Sequence, residues 1–89
     1  MKNTIPKQIG YKGIEFLEEG DNVFYKIEAD KNYARATVTK AFEAGATAIF
    51  VKLEENYRGN HAKFKAGEEI LAGPNELYRI PKSKLEERL

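Results

Sequence analysis

Basic and aromatic side chains are interleaved between Glu55 and Glu68, and no acidic residue interrupts them. Arginine and lysine side chains bind phosphate groups, and an aromatic ring offers a face on which a base can stack. The pattern predicts a binding surface for nucleic acid or another partner along this stretch. Its candidate residues are Tyr57, Arg58, His61, Lys63, Phe64 and Lys65.

Two other basic segments would extend this surface if folding brought them beside it. One lies near the end of the sequence and contributes the candidate binding residues Arg79, Lys82 and Lys84. The other occupies residues 2–12 and contains three lysines. A simpler interpretation of the first stretch stands beside this one: Phe64 would anchor the core beneath a basic loop that is merely hydrated.

Residue types suited to catalysis are scarce. His61 is the only histidine and Ser83 the only serine, and both lie in polar stretches where packing would not obviously position them. Adjacent glutamates, such as Glu54 and Glu55, would point to opposite faces of a strand. Because the chain has no cysteine, a thiolate nucleophile and cysteine-bound zinc are excluded. We therefore expect a protein that is not an enzyme.

The sequence also predicts no cofactor and no metal ion. The segment that begins at Asp30 starts like a calcium-binding EF-hand loop, but Arg35 stands where that loop needs glycine and Ala41 where it needs glutamate. No nucleotide-binding glycine motif occurs. Gly10 and Gly13 match the G-x-x-G of RNA-binding KH domains, but the nine residues before them cannot supply the strand and helix that such a domain needs there.

Composition indicates one small globular domain, residues 1–89. Fifteen basic and fourteen acidic residues give a net charge of +1, which excludes both a histone-like polycation and an acidic mimic of nucleic acid. No apolar run approaches the roughly 18 residues needed to span a bilayer, and Met1 to Gln8 lack the apolar core of a signal peptide. We expect a cytoplasmic protein that does not enter a membrane.

Turn-forming residues recur at short intervals, and the spacing between them is typical of a small mainly β domain. Strands are predicted at 23–28, 46–53 and 77–80, where β-branched and aromatic residues are concentrated. Ser83 to Glu86 form a capping-box pattern, which predicts a short helical turn at the C-terminal end. Residues 1–13 are a candidate for a flexible N-terminal arm.

Residues 31–44 fit two structures, and the fold class depends on which one forms. Apolar residues at helical spacing indicate a helix, with Asp30 available as its N-cap and Gly45 after its end. Alternating apolar residues from Ala34 to Val38 instead indicate a strand, which would pair with residues 46–53 as a hairpin. The hairpin is favoured and gives a mainly β protein, whereas the helix would make the fold α+β.

Three stretches resemble the Tudor and KOW domains of the SH3-like class. They are Gly20–Tyr25, similar to the family's G-D-x-V entry into a first strand; Tyr33–Val38, similar to its aromatic-x-R-A-x-V second strand; and Val51–Glu55, similar to its third strand. Asn56–Asn60 resembles the family's D-Y-G-N turn. The resemblance implies a small barrel of about five strands. It also implies an aromatic cage for methylated lysine or arginine, with Tyr33 and Tyr57 at cage positions.

These observations predict a non-catalytic interaction module that acts on or beside nucleic acid through the basic and aromatic stretch. Its partner would be nucleic acid or a nucleic-acid-associated protein. The alternative is a protein-binding adaptor or inhibitor, of the kind that phages and mobile elements encode, which would use exposed aromatic side chains and a sheet edge. A third role, reading methyl marks, depends on the cage.

Overall fold

The computed structural model describes residues 6–40 and 47–81. Of these residues 39% lie in strands and 7% in a helix, which confirms the mainly β prediction. In chain order the elements are β1 (Lys7–Gln8), α1 (Gly10–Ile14), β2 (Asn22–Tyr25), β3 (Ala34–Val38), β4 (Ile49–Leu53), β5 (Tyr57–Arg58), β6 (Lys63–Phe64), β7 (Glu69–Ala72) and β8 (Leu77–Arg79).

Six strands form one antiparallel sheet in the order β1-β8-β2-β3-β4-β7. The sheet is open, since β1 and β7 lie at its two edges and are not paired with each other. The other two described strands, β5 and β6, form a separate antiparallel hairpin. The SH3-like barrel of about five strands therefore stays a prediction, and what the structure establishes is a small mainly β fold.

The region that fits both helix and strand forms a strand. β3 pairs with β4 in antiparallel register, with Val38 opposite Val51, so the helical alternative for residues 31–44 is wrong over its described part. The physical reason is that the β-branched residues at 37–39 disfavour a helix, while alternation gives the strand one apolar face. Residues 41–46 lie outside the described part of the chain.

One face of the sheet carries the main core. Each of its central strands contributes alternate side chains, because successive residues of a strand point to opposite faces. The buried members of this core are Ile14, Val23, Tyr25, Ala34, Ala36, Val38, Ile49, Val51, Leu53, Tyr57, Ala72 and Leu77. A smaller cluster on the other side contains Phe24, Tyr78 and Ile80, with Tyr33 packed against it. Strand β2 is thus buried on both faces.

The first described residues belong to the fold. β1 pairs with β8, with Lys7 opposite Arg79, and α1 brings Ile14 into the core at 1% exposure. The segment 1–13 considered as an arm thus includes β1 and most of α1. The helical turn predicted at 83–86 lies outside the described residues. In the described part of the chain, no helix is long and apolar enough to cross a membrane.

Candidate functional site

The β5–β6 hairpin, residues 57–64, carries most of the binding residues predicted from the sequence. Its register places Tyr57 opposite Phe64 and Arg58 opposite Lys63. Gly59 N donates a 3.1 Å hydrogen bond to Ala62 O and closes the turn. Because side chains alternate along each short strand, the two aromatic residues share the face that packs on the protein, and the two cations share the exposed face.

A groove of about 550 Å³ runs along the hairpin. Its lining residues are Asn56, Tyr57, Arg58, Lys63, Phe64 and Lys65. Phe64 is partly buried. Its ring packs edge-on against Tyr25 with centroids 6.1 Å apart, and it lies at a tilt of 33° to the ring of Tyr57 with centroids 6.0 Å apart. The groove thus combines aromatic surface with three cationic side chains.

Two exposed cations of the groove, Arg58 and Lys63, lie side by side, and no carboxylate of the described residues compensates their charge. Arg58 and Lys63 lie directly across the two strands, where like charges are unfavourable unless an opposite charge is present. Among the described residues, no carboxylate lies within 4.0 Å of the charged groups of Arg58, Lys63 or Lys65. This arrangement favours binding of an anion.

The acids on either side of this stretch are held by backbone groups. Glu55 Oε2 accepts a 2.6 Å hydrogen bond from Arg35 N, and Glu68 Oε2 accepts one of 2.5 Å from Lys65 N. At the open end of the hairpin, Asn56 Oδ1 accepts a 2.8 Å hydrogen bond from Ala66 N. These bonds hold the carboxylates of Glu55 and Glu68 at the two ends of the cationic stretch.

Asp30 anchors the hairpin from beneath. Its side chain is fully buried, and its Oδ2 accepts a 2.6 Å hydrogen bond from the Tyr57 hydroxyl. Its Oδ1 accepts backbone hydrogen bonds from Asn60 (3.0 Å) and His61 (3.2 Å) and lies 2.5 Å from His61 Nδ1. One carboxylate in the β2–β3 loop therefore holds both the start and the tip of the hairpin.

The environment of Asp30 keeps this carboxylate ionised. Burial alone would raise the pKa of Asp30, but the hydrogen bonds from Tyr57, from His61 and from the backbone of Asn60 lower it to about 2. The pKa values of the two neighbouring phenols, Tyr57 and Tyr25, change in the opposite direction. Burial and the hydrogen bond to Asp30 raise the pKa of Tyr57, and burial, with the charges of Glu76 and Asp30, raises that of Tyr25 to about 12.

Gly59 allows the hairpin to lie against Asp30. A Cβ atom added at this position would stand 2.7 Å from the Asp30 carboxyl carbon and 2.7 Å from Tyr57 Cε2, and closer still to Asp30 Oδ2. No side chain fits there without displacing one of these groups. The sequence shows Gly59 as a turn signal, and the structure adds that its missing side chain lets the backbone approach the carboxylate.

Lys26 holds the loop that carries Asp30. Its side chain is buried at 8% exposure, and Nζ donates hydrogen bonds to the carbonyl oxygens of Ile27 (3.2 Å), Glu28 (3.0 Å) and Asp30 (2.8 Å). The ammonium group also lies over the rings of Tyr33 and Tyr78, 5.6 Å and 5.3 Å from their centroids. These carbonyls and ring faces favour the buried positive charge.

The sequence did not reveal Lys26 and Asp30 as parts of this site. Lys26 lies within the predicted strand 23–28, and the sequence presents Asp30 as a helix N-cap and as the first residue of a segment that starts like an EF-hand loop. The available signal was weak: a lysine and an aspartate four residues apart bracket a short loop next to several aromatic residues. The side-chain partners of Asp30 lie 27 and 31 residues along the chain, which is too far for spacing to predict.

Tyr57 and the predicted aromatic cage require correction. Tyr57 is 1% exposed, so its ring supports the hairpin and is not available for stacking on a ligand. Tyr33 packs in the other cluster, 5.4 Å from the ring of Phe24 and 5.2 Å from that of Tyr78. The two tyrosines do not form a cage, because each ring is committed to a different packed cluster.

The remaining predicted residues are placed differently. The His61 side chain is 56% exposed at the hairpin tip, with Nδ1 held by Asp30. Arg79, on β8, lies opposite Lys7 of β1. It lines a separate groove of about 380 Å³, which Asp21 also lines. It does not line the hairpin groove. Lys82 and Lys84 lie outside the described residues.

Within residues 6–40 and 47–81, no group of three histidine, cysteine, aspartate or glutamate side chains could hold a metal ion. The Asp30–His61 pair supplies two such groups, and the other contacts of the carboxylate come from a phenol and backbone amides. The geometry of this pair is that of a structural anchor.

No protein-family model, curated protein or solved structure matches this chain.

Proposed function

We propose that this protein is a small, non-catalytic interaction module that acts on or beside nucleic acid through its β5–β6 hairpin. Arg58, Lys63 and Lys65 contact phosphate groups of the nucleic acid, and His61 and Phe64 complete the contact surface. The observation that carries the proposal is the cross-strand pair of Arg58 and Lys63, which are both exposed and have no carboxylate partner among the described residues. Phosphates would supply the missing negative charge.

The anchoring of the hairpin supports this role. Asp30 holds the hairpin at Tyr57, Asn60 and His61, and Asn32 Nδ2 donates a further 3.0 Å hydrogen bond to Arg58 O. A surface that is ordered before binding loses less conformational entropy when the ligand arrives. A two-stranded hairpin would be marginally stable by itself, so its tethering favours a functional role for the cations that it presents.

The contacts of the His61 side chain agree with a non-catalytic role. Its Nδ1 contacts a carboxylate that also accepts hydrogen bonds from Tyr57 and from the backbone of Asn60 and His61. Among the described residues, the side-chain contacts of this pair are the Tyr57 phenol, whose pKa is raised, and backbone amides, which is the arrangement of a structural anchor. We also propose an SH3-like fold and a cytoplasmic location. The SH3-like fold is supported by the stretches that resemble Tudor and KOW domains, which overlap β2, β3 and β4.

The proposal is tested by neutralising the three cations of the groove together. In fluorescence anisotropy with a labelled oligonucleotide, the variant Arg58→Gln, Lys63→Gln, Lys65→Gln is expected to lose at least about tenfold in affinity at low salt. A matched control, Lys7→Gln, Lys12→Gln, Lys52→Gln, removes the same charge from exposed positions outside the groove. Equal losses in the two variants would contradict a site at the hairpin.

The second candidate is a protein-binding adaptor or inhibitor of the kind that phages and mobile elements encode, and one specific feature favours it. Phe50 on β4 and Leu71 on β7 are opposite one another in register, and they are 37% and 58% exposed. β7 is an edge strand of the sheet, which another chain can extend by pairing. This role predicts a partner that survives nuclease treatment and is lost in Leu71→Glu but retained in the triple hairpin variant.

A further inference from the structure

We infer that the hairpin groove binds single-stranded nucleic acid, with an unpaired base stacked on the ring of Phe64. This inference rests on the proposed function, and it adds the class of nucleic acid and the residue that selects it. Its basis is the position of a partly exposed aromatic ring in a groove that is lined by Arg58, Lys63 and Lys65.

Two buried tyrosine rings pack against the ring of Phe64, as a stacking surface for a base requires. Tyr25 contacts it in an edge-on arrangement and Tyr57 lies beside it, with ring centroids 6.1 Å and 6.0 Å away. Both supporting tyrosines are buried, at 4% and 1% exposure. The Tyr57 hydroxyl is in turn held by Asp30. The orientation of Phe64 is therefore set by packing before any ligand arrives.

The groove presents two kinds of surface that match the two parts of a nucleotide. Aromatic side chains bind the face of a base, and this interaction tolerates any base because each has a π face. Cations on the same short strands bind the phosphates on either side of it. In a duplex the base faces are stacked on one another, so a duplex could use the cations but not the ring. The pairing of ring and cations favours a single strand.

A comparison of ligands tests this inference with the wild-type protein. The probes are a labelled DNA single strand, an abasic strand of the same length, a duplex of the same length, and an RNA single strand. The DNA strand is expected to bind about 5- to 150-fold more tightly than the abasic strand, since stacking of one base has this effect on affinity. The RNA strand is expected to bind like the DNA strand, because stacking and phosphate contacts do not read the 2′-hydroxyl.

The variant Phe64→Leu should remove the difference between the normal and abasic strands while retaining the affinity for the abasic strand. Phe50→Leu is the matched control, since Phe50 is an exposed aromatic residue on β4 outside the groove, and it should leave the difference intact. The wild-type ligand comparison stands even if Phe64→Leu does not fold.

The outcomes separate this inference from the proposed function. Equal affinity for normal and abasic strands, or tighter binding of the duplex, would overturn the stacking inference and leave phosphate binding by the hairpin in place. A preference for RNA over DNA of more than about tenfold would also overturn it, because the ring and the three cations would then not account for recognition. Failure to bind any of the four probes would overturn both.

Discussion

The Tyr57 hydroxyl donates a 2.6 Å hydrogen bond to Asp30 Oδ2 and accepts one of 2.9 Å from Ile27 N. The same phenol, which lies on β5, thus hydrogen-bonds two residues of the loop between β2 and β3. Since the carboxylate of Asp30 also holds the hairpin tip, the loop and the hairpin stabilise each other. The position of the cationic groove depends on this pair.

Replacing Tyr57 with phenylalanine tests the pair. The variant retains the ring but leaves the Asp30 carboxylate and the Ile27 amide each without one hydrogen-bond partner. We expect the free energy of unfolding to fall by about 1–3 kcal/mol, the usual cost of an unsatisfied buried polar group. Chemical denaturation followed by circular dichroism measures it. Tyr11→Phe, at a residue 65% exposed, is the control and should change stability by less than about 0.5 kcal/mol.

Adding a methyl group at Gly59 tests the close approach of the hairpin to Asp30. Because the new Cβ would overlap the carboxylate, Gly59→Ala is expected to destabilise the protein by about 1–3 kcal/mol, the range for overpacking. Gly73→Ala is the matched control, since its nearest contacts would be at ordinary distances of 3.8 Å and 3.9 Å. Thermal unfolding that is equally affected in both variants would show that Gly59 has no special packing role.

The buried ammonium of Lys26 provides a third test. Lys26→Met keeps the length of the side chain but removes the donor to three carbonyl oxygens. We expect a loss of about 2 kcal/mol in the free energy of unfolding, because hydrogen bonds to charged groups contribute about 1.5–3 kcal/mol. Lys52→Met, on the exposed face of β4, serves as the control. Faster amide hydrogen exchange at residues 27–30 in Lys26→Met alone would locate the effect in the loop.

The lowered pKa of Asp30 predicts how stability depends on pH. The folded state holds this pKa at about 2, below its ordinary value of 3.8, so the ionised carboxylate stabilises the folded state above about pH 4. That contribution is lost as the pH falls from 4 towards 2, where the folded state also takes up the proton. His61 and Tyr57 also lie next to this carboxylate. A comparison of the wild type with a variant that lacks the carboxylate therefore isolates the contribution of Asp30 to the pH dependence.

Asp30→Asn should therefore be less stable than the wild type at pH 5, and the difference should shrink as the pH approaches 2. Denaturation at a series of pH values between 5 and 2 measures this change. Glu19→Gln, an exposed acid, is the control and should run parallel to the wild type. A constant difference between Asp30→Asn and the wild type across this range would contradict the assignment of Asp30 as the titrating anchor.

Local sequence patterns predict the sheet well where one face of a strand is buried. Alternation from Ala34 to Val38 placed this strand opposite residues 46–53, and the observed β3–β4 pair agrees. The pattern could not predict that β2 is buried on both faces, because Phe24 packs with Tyr78, which lies on a strand more than fifty residues later. That contact depends on strand order, which periodicity does not encode.

The cationic stretch was visible in the sequence because its residues are neighbours in the chain. The anchor was not visible, since Asp30 meets its partners 27 and 31 residues later. Tyr57 illustrates the consequence: an aromatic residue beside cations suggests a ligand contact, yet the buried carboxylate uses its hydroxyl. Local composition therefore identified the surface but not the residues that position it.

The salt dependence of oligonucleotide binding tests the central claim most directly. If Arg58, Lys63 and Lys65 neutralise three phosphates of a single strand, the logarithm of the association constant should fall with the logarithm of salt concentration with a slope of about −2, or about 20-fold between 50 and 200 mM. The triple glutamine variant at these residues should show a slope near zero, and the Lys7, Lys12, Lys52 control should keep the wild-type slope. A triple hairpin variant that keeps the wild-type slope would contradict the proposed function.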